Sequence, residues 1–211
     1  MSEMDQEFWN ETYKQDSNQA GVPDRFLAQE VEGLLPGSAV DLGCGVGHNA
    51  LMLAARGWQV TGIDWSEEAI KLAQQAARKK GLDVQFHAAD TTIWEPIKRY
   101  DLVISSYALP GGQGSKRVLD TALKSLAPGG TLIVVEWDKS MNEVWHFAEG
   151  DLMSAGEIAA NLPVLEIEKE EFRQVENPFG SELNGEHEHT RDQKNDAAMA
   201  NVALVRARKP V

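Results

Sequence analysis

The sequence holds one cysteine, Cys44, so no disulfide can form within the chain and its core must be held by packing alone. It lacks any run approaching the ~18 apolar residues of a membrane span, and the stretch from Met1 to Gln15 is polar and acidic, without a signal-peptide pattern. A membrane partner is therefore not expected, and the expected location is the cytoplasm. Basic residues are scarce: 20 Lys and Arg face 33 Asp and Glu, a net charge of −13 that repels duplex nucleic acid unless a local basic groove offsets it. Internal repeats and low-complexity stretches are missing too. At roughly 100–200 residues per domain, the length of 211 corresponds to one structural domain.

Charge is unevenly placed. Residues 1–35 carry 8 acids and 2 bases, 36–135 carry 9 and 10, 136–196 carry 16 and 5, and 197–211 carry three bases, so a neutral middle lies between acidic flanks. From Gly37 to Glu136 short apolar runs alternate with helical periodicity, the pattern of a parallel α/β sheet. Ser38–Leu42, Gln59–Ile63, Val84–His87, Leu102–Ser105 and Thr131–Val135 are expected as strands, several too apolar for one-sided burial. The clearest helix runs from about Ser66 to Lys80, with Ala69, Ile70, Ala73, Ala76 and Ala77 on one face, Glu67 and Glu68 in the first turn and Gly81 beyond. Phe26, Leu27, Glu30, Val31 and Leu34 predict an earlier helix closed by Pro36 and Gly37, and Phe8, Trp9, Thr12 and Tyr13 share one face of a short helix before it. Downstream, Ser154–Asn161 reads as a helix and Val164–Gln174 and Ala200–Arg208 as strands. The polar stretch between those strands, 176–198, is long enough to be either functional or disordered.

The chemistry-bearing signal is Val40-Asp41-Leu42-Gly43-Cys44-Gly45-Val46-Gly47, a strand entering alternating glycines and then a helix, His48 to Arg56. Glycines there let the chain turn sharply and let a ligand approach the backbone. About twenty residues on, Asp64 ends the next strand, where a carboxylate can accept from both ribose hydroxyls. Together they describe a nucleotide or nucleoside site, taken either by a dinucleotide or by S-adenosylmethionine. The dinucleotide fingerprint is G-x-G-x-x-G with a pyrophosphate on the helix; this turn reads G-x-G-x-G after Asp41, whose charge suits no phosphate but does suit a cationic ligand end.

At this point the chain resembles the class I S-adenosylmethionine-dependent methyltransferases, whose first motif is an acid followed by G-x-G-x-G. Asp64-Trp65-Ser66 resembles the second-strand acid with its adenine-covering neighbour. Ala88-Ala89-Asp90-Thr91 resembles the segment whose acid takes the adenine amino group. Tyr100 to Ser106 resembles the fourth-strand motif, at whose carboxyl end methyl donor and acceptor meet, and Leu126-Ala127-Pro128-Gly129-Gly130-Thr131 resembles the turn into the fifth strand. The resemblance covers roughly Ser38 to Glu136. It implies a Rossmann-like, mostly parallel seven-stranded sheet with an antiparallel last strand and helices on both faces. It also implies a cofactor set of Asp41, Gly43, Gly45, Gly47, Asp64, Trp65, Ala89, Asp90, Thr91 and Ser105, to which the N-terminal resemblance given below adds Tyr13. Asp101 is expected to be structural, and Cys44 to fill a small space in the turn.

Methyl transfer is an in-line displacement at a sulfonium carbon, so the protein must align the nucleophile, exclude water and, where needed, remove a proton. The fourth-strand exit, Ser105-Ser106-Tyr107-Ala108-Leu109-Pro110, lacks the Asn/Asp-Pro-Pro-aromatic tetrapeptide of amino-methylating nucleic-acid enzymes, and no Pro-Cys nucleophile occurs. A small-molecule acceptor is expected, and no nucleic acid. Phe8-Trp9-Asn10-Glu11-Thr12-Tyr13, Gly21-Val22-Pro23 and Arg56-Gly57-Trp58 resemble the small methyltransferases related to tellurite-resistance and thiopurine enzymes. That resemblance implies an N-terminal cap, 1–35, over the cofactor of a domain spanning 36–211. Catalytic candidates are Tyr107, His146 and His187; His187 and His189 alternate, but with no fixed third ligand no metal is expected. The alternative function is a noncatalytic S-adenosylmethionine-binding regulatory module. The oligomeric state is not legible.

Overall fold

A computed structural model of the chain describes residues 6–15, 22–145, 148–176 and 199–211. Seven strands form one sheet: β1 (Ser38–Leu42), β2 (Gln59–Asp64), β3 (Val84–Ala88), β4 (Tyr100–Ser106), β5 (Leu126–Trp137), β6 (Glu166–Glu176) and β7 (Met199–Arg208). Their spatial order is β3-β2-β1-β4-β5-β7-β6. Pairings among β1 to β5 are parallel, and β7 runs antiparallel to both β5 and β6. The helices are α1 (Gln6–Gln15), α2 (Arg25–Glu30), α3 (His48–Ala55), α4 (Glu67–Lys80), α5 (Gly112–Ser125), α6 (Met141–Val144) and α7 (Ala155–Ala160). This is the Rossmann-like sheet expected, with order reversal between β1 and β4, where ligands of open α/β sheets gather at the strands' carboxyl ends.

Alternation along the buried strands divides the core into two layers. Ala39, Leu102, Ile104, Ile133 and Val135 pack with α2, α3 and α4, whereas Val40, Leu42, Val103, Leu132 and Val134 pack with α5 and α7. Local chemistry sets the helix ends. The Ser66 hydroxyl accepts from the Ala69 N–H at 3.2 Å and Gly81 closes α4 with φ of 64°, as its sequence predicts. α2 is shorter than expected: it ends at Glu30, and residues 31–33 form a turn that Gly33 leaves at φ 81°. Val31 still packs in the core, so the apolar periodicity outlasts the helix. β5 begins earlier than expected, because Leu126 already pairs with Tyr100 across an irregularity in the ladder. Asp101 is structural: its carboxylate accepts from the Ser38 N–H and hydroxyl, both at 2.8 Å, tying the amino ends of β4 and β1 far from the carboxyl edge.

Two polar devices hold the N-terminal helices. Glu30, buried on α2, takes Lys169 of β6 at 2.7 Å, with Arg173 and Arg206 within 4 Å. On α1, Gln6 donates to the Trp65 carbonyl at 2.6 Å and Asn10 accepts from the Ser66 hydroxyl at 2.7 Å, so α1 rests on the start of α4. Among the described residues, no helix is long and apolar enough to cross a membrane.

Candidate functional site

The turn after β1 is pinned from below by β2: the N–H groups of Gly43 and Cys44 both donate to the Ile63 carbonyl, at 2.8 and 2.9 Å. Gly43, Gly45 and Gly47 all have positive φ, which an L side chain adopts only with strain. Space forbids a side chain as well, since a Cβ on Gly43 would stand 2.2 Å from the Cβ of Ala108. Cys44 is buried and fills the gap beside Gly62, a packing role.

Asp64 ends β2 beside this turn. One of its oxygens accepts from the Gly45 N–H at 2.8 Å, the other from the Ser66 N–H at 2.9 Å. Each oxygen keeps further acceptor capacity. Burial raises the Asp64 pKa, and the two N–H donors oppose that rise. Asp41, in register with Gly62 and Ile104, is 1% exposed. It accepts from the Ala50 N–H, in the first turn of α3, while its Oδ2 has no protein partner. Burial, and then the charge of Asp64, pushes its carboxyl up to about 7. On the same face of the sheet stands Ser106, partly buried, whose hydroxyl also lacks a partner; Ser105, buried and likewise unpartnered, points to the opposite layer.

Tyr13 reaches this turn from α1. Its hydroxyl lies 3.0 Å from where a Gly45 Cβ would be, and burial together with nearby Asp64 raises its pKa. Trp9 packs beside it, ring centres 6.0 Å apart. Trp65 is half-buried directly after Asp64. Beyond β3, the Ala89 N–H donates to the Asp64 carbonyl at 2.8 Å, and Asp90 turns back to accept from the Thr92 N–H at 2.8 Å, with Thr91 half-buried between. The expected cofactor residues from Tyr13 to Thr91 thus gather around one edge.

On the β4–β5 side, Tyr107 is the non-glycine residue with positive φ, 51°, among the described residues. Its ring lies 4.4 Å from that of Trp137, which meets Trp145 edge-on at 5.0 Å. Although 36% of Tyr107 is exposed, its hydroxyl donates to Asp24, and burial, Asp24 and Glu136 all raise its pKa. Asp24 caps α2 by accepting from the Leu27 N–H at 2.6 Å, and its own N–H donates to Asn49 of α3 at 2.8 Å. Glu136 is buried at the end of β5; its oxygens accept from Leu109 N–H at 3.0 Å and Trp137 N–H at 2.9 Å. Sequence reasoning passed over Asp24, Ser106 and Glu136. The signal for Glu136 was present: an acid closing the apolar run Leu132-Ile133-Val134-Val135. His146 and His187 lie outside the described residues, as does nearly all of 176–198.

A family profile described as a methyltransferase domain matches residues 37–195. The chain belongs to this methyltransferase family. The family is one of S-adenosylmethionine-dependent enzymes, in agreement with the acid and G-x-G-x-G turn. A trans-aconitate 2-methyltransferase of Streptomyces avermitilis is 38% identical over 102 residues, covering 46% of this chain and 38% of that protein. A ribosomal RNA small subunit methyltransferase C of Alcanivorax borkumensis is 31% identical over 119 residues, covering 52% and 36%. The chain thus matches well under half the length of either relative. The solved phosphoethanolamine N-methyltransferase 2 of Haemonchus contortus, in complex with S-adenosylhomocysteine, superposes with a TM-score of 0.70 at 16% identity, over 97% of this chain and 58% of that one. That likeness is one of fold, and it agrees with the methyltransferase topology described above.

Proposed function

We propose that this methyltransferase-family chain transfers a methyl group from S-adenosylmethionine to a small-molecule nucleophile, in the manner of the tellurite-resistance and thiopurine-type enzymes. The observation that carries the cofactor assignment is Asp64: each carboxylate oxygen holds one backbone N–H and keeps room for another donor, beside a turn whose three glycines put no side chain in a nucleoside's way. A vicinal diol fits that carboxylate. Bound there, S-adenosylmethionine supplies the activated methyl group. Asp64 orients the ribose, Trp65 covers the adenine, and Ala89, Asp90 and Thr91 contact its edge. Asp41 accepts from the amino end of α3, and in its ionised form, above about pH 7, its charge beneath the turn favours the cationic methionine end. Tyr13 and α1 close the cofactor from above as an N-terminal cap, a reading supported by the contacts of Gln6 and Asn10 with Trp65 and Ser66.

The acceptor enters on the Tyr107 side, where Tyr107 and Trp137 form an aromatic wall that keeps water from the reacting centre. The net charge of −13 supports a small acceptor over RNA. Calorimetric titration with S-adenosylmethionine, S-adenosylhomocysteine and NADH tests the reading. Micromolar binding of the adenosyl compounds alone is expected, followed by radiolabelled methyl transfer to a thiol, amine or metalloid acceptor; binding of NADH alone, or of nothing, overturns it.

A further inference from the structure

The turn that leaves β4 is held by a residue the cofactor motifs do not contain. Glu136 stands at the carboxyl end of β5 with 3% of its surface exposed, and its two oxygens are aimed at backbone. One accepts from the Leu109 N–H at 3.0 Å, the other from the Trp137 N–H at 2.9 Å, and the Ala108 N–H also donates to the carboxylate. The Tyr107 N–H donates to the Val135 carbonyl at 2.8 Å, so the whole turn is fastened to the end of β5. A buried carboxyl accepting three N–H groups is a directional anchor because no water competes, and since burial raises its pKa to about 7 the bonds become charge-assisted as pH rises through that value.

What the turn holds in place lies on the other side of the site. Ala108 fits into the space left by the missing side chain of Gly43, closely enough that a Cβ there would overlap it at 2.2 Å. Gly43 in turn hangs from Ile63 beside Asp64. The positive φ of Tyr107 is the strained backbone that this fastening maintains, and it sets the ring against Trp137. The charged and titratable groups nearest to the turn, Asp24 and Tyr107, meet each other, with Arg25 alongside, and give Glu136 no counter-ion.

We propose that Glu136 is a positioning residue, whose carboxylate latches the Tyr107–Leu109 turn so that Ala108 buttresses the glycine turn and the aromatic acceptor wall stays aligned with the cofactor. The inference rests on the methyltransferase reading for its purpose, but the latch itself is a physical arrangement that can be measured without the cofactor. Its substance is distance and direction rather than charge alone, which distinguishes it from a general electrostatic effect.

The test uses the full chain and the variants E136Q and E136D. Hydrogen exchange read by NMR at the Ala108 and Leu109 amides reports the latch, and calorimetric titration with S-adenosylhomocysteine reports its consequence. Glutamine keeps the shape but replaces one acceptor oxygen with a donor, so exchange at these amides is expected to accelerate by about tenfold or more and the affinity for S-adenosylhomocysteine to fall by about tenfold. Aspartate keeps the charge but not the reach, and is expected to behave like glutamine. Unchanged protection of Ala108 and Leu109 in E136Q overturns the latch. Lost protection with unchanged affinity overturns the positioning role, and full retention of both by E136D shows charge alone to be sufficient, which overturns it too. If the parent chain binds no S-adenosylhomocysteine, the positioning role falls with the functional reading, while amide exchange still decides whether the latch exists.

Discussion

On the β1–β2 side of the sheet's carboxyl edge, the defining residues come from one continuous stretch, Asp41 to Ser66, and are joined within it by backbone N–H groups donating to the Ile63 carbonyl and the Asp64 carboxylate. On the β4–β5 side, Asp24, Tyr107 and Glu136 come from three distant parts of the chain and meet because β4 pairs with β5 and α2 packs against β5. Both sides bury carboxylates, but differently. Asp64 keeps acceptor capacity at the edge, whereas Glu136 spends its oxygens on the protein's own N–H groups. The contrast teaches that a ligand whose chemistry does not vary can be served by a short local motif. The β4–β5 side needs contacts assembled at long range.

The sharpest way to break this comparison is Gly43→Ala, which attacks the junction of the two sides. A side chain at φ 76° that overlaps Ala108 is expected to destabilise the protein by about 2–4 kcal/mol and to abolish S-adenosylhomocysteine binding, read by thermal melting and calorimetry. Next in size, Asp64→Ala should weaken cofactor binding by at least about tenfold while the protein still folds, since it removes charge-assisted bonds. Unchanged affinity would place the ribose elsewhere.

Asp41→Asn sharpens the comparison through pH. Because burial and Asp64 raise the folded Asp41 pKa to about 7, the folded state binds the extra proton, and the stability this contributes is lost as pH rises through about 4 to 7. Asparagine carries no such loss. The melting temperature of the variant minus that of the parent should therefore increase by roughly 3–6 °C between pH 5.5 and 8. A constant difference would mean that Asp41 is already ionised at the lower pH. The smallest effect is expected from Tyr107→Phe. It removes the hydroxyl bond to Asp24 but leaves the backbone fastening intact, so affinity for S-adenosylhomocysteine should stay within about twofold. A loss as large as that of Asp64→Ala would show that the two sides are not separable.

Legibility followed the same division. The geometry that joins Asp41, the three glycines and Asp64 is legible because strand, turn and carboxylate lie at short, fixed separations, and α4 is legible from Ser66 and Gly81. α2 was overestimated because Val31 is apolar and buried without being helical. Ser105 was named for the edge where the structure also places Ser106 on Asp41's face, since alternation along a strand decides the side and one position reverses it.

The sequence by itself determined the parallel α/β core, the glycine turn and its acidic partner, because apolar periodicity and positive-φ glycines act over a few neighbouring residues. Only the tertiary structure decided that Asp24 meets Tyr107, that Ala108 fills the space of Gly43, and that Glu136 fastens the turn between them. Those contacts join residues far apart in the chain, and their geometry depends on strand order, register and the close packing of the finished sheet.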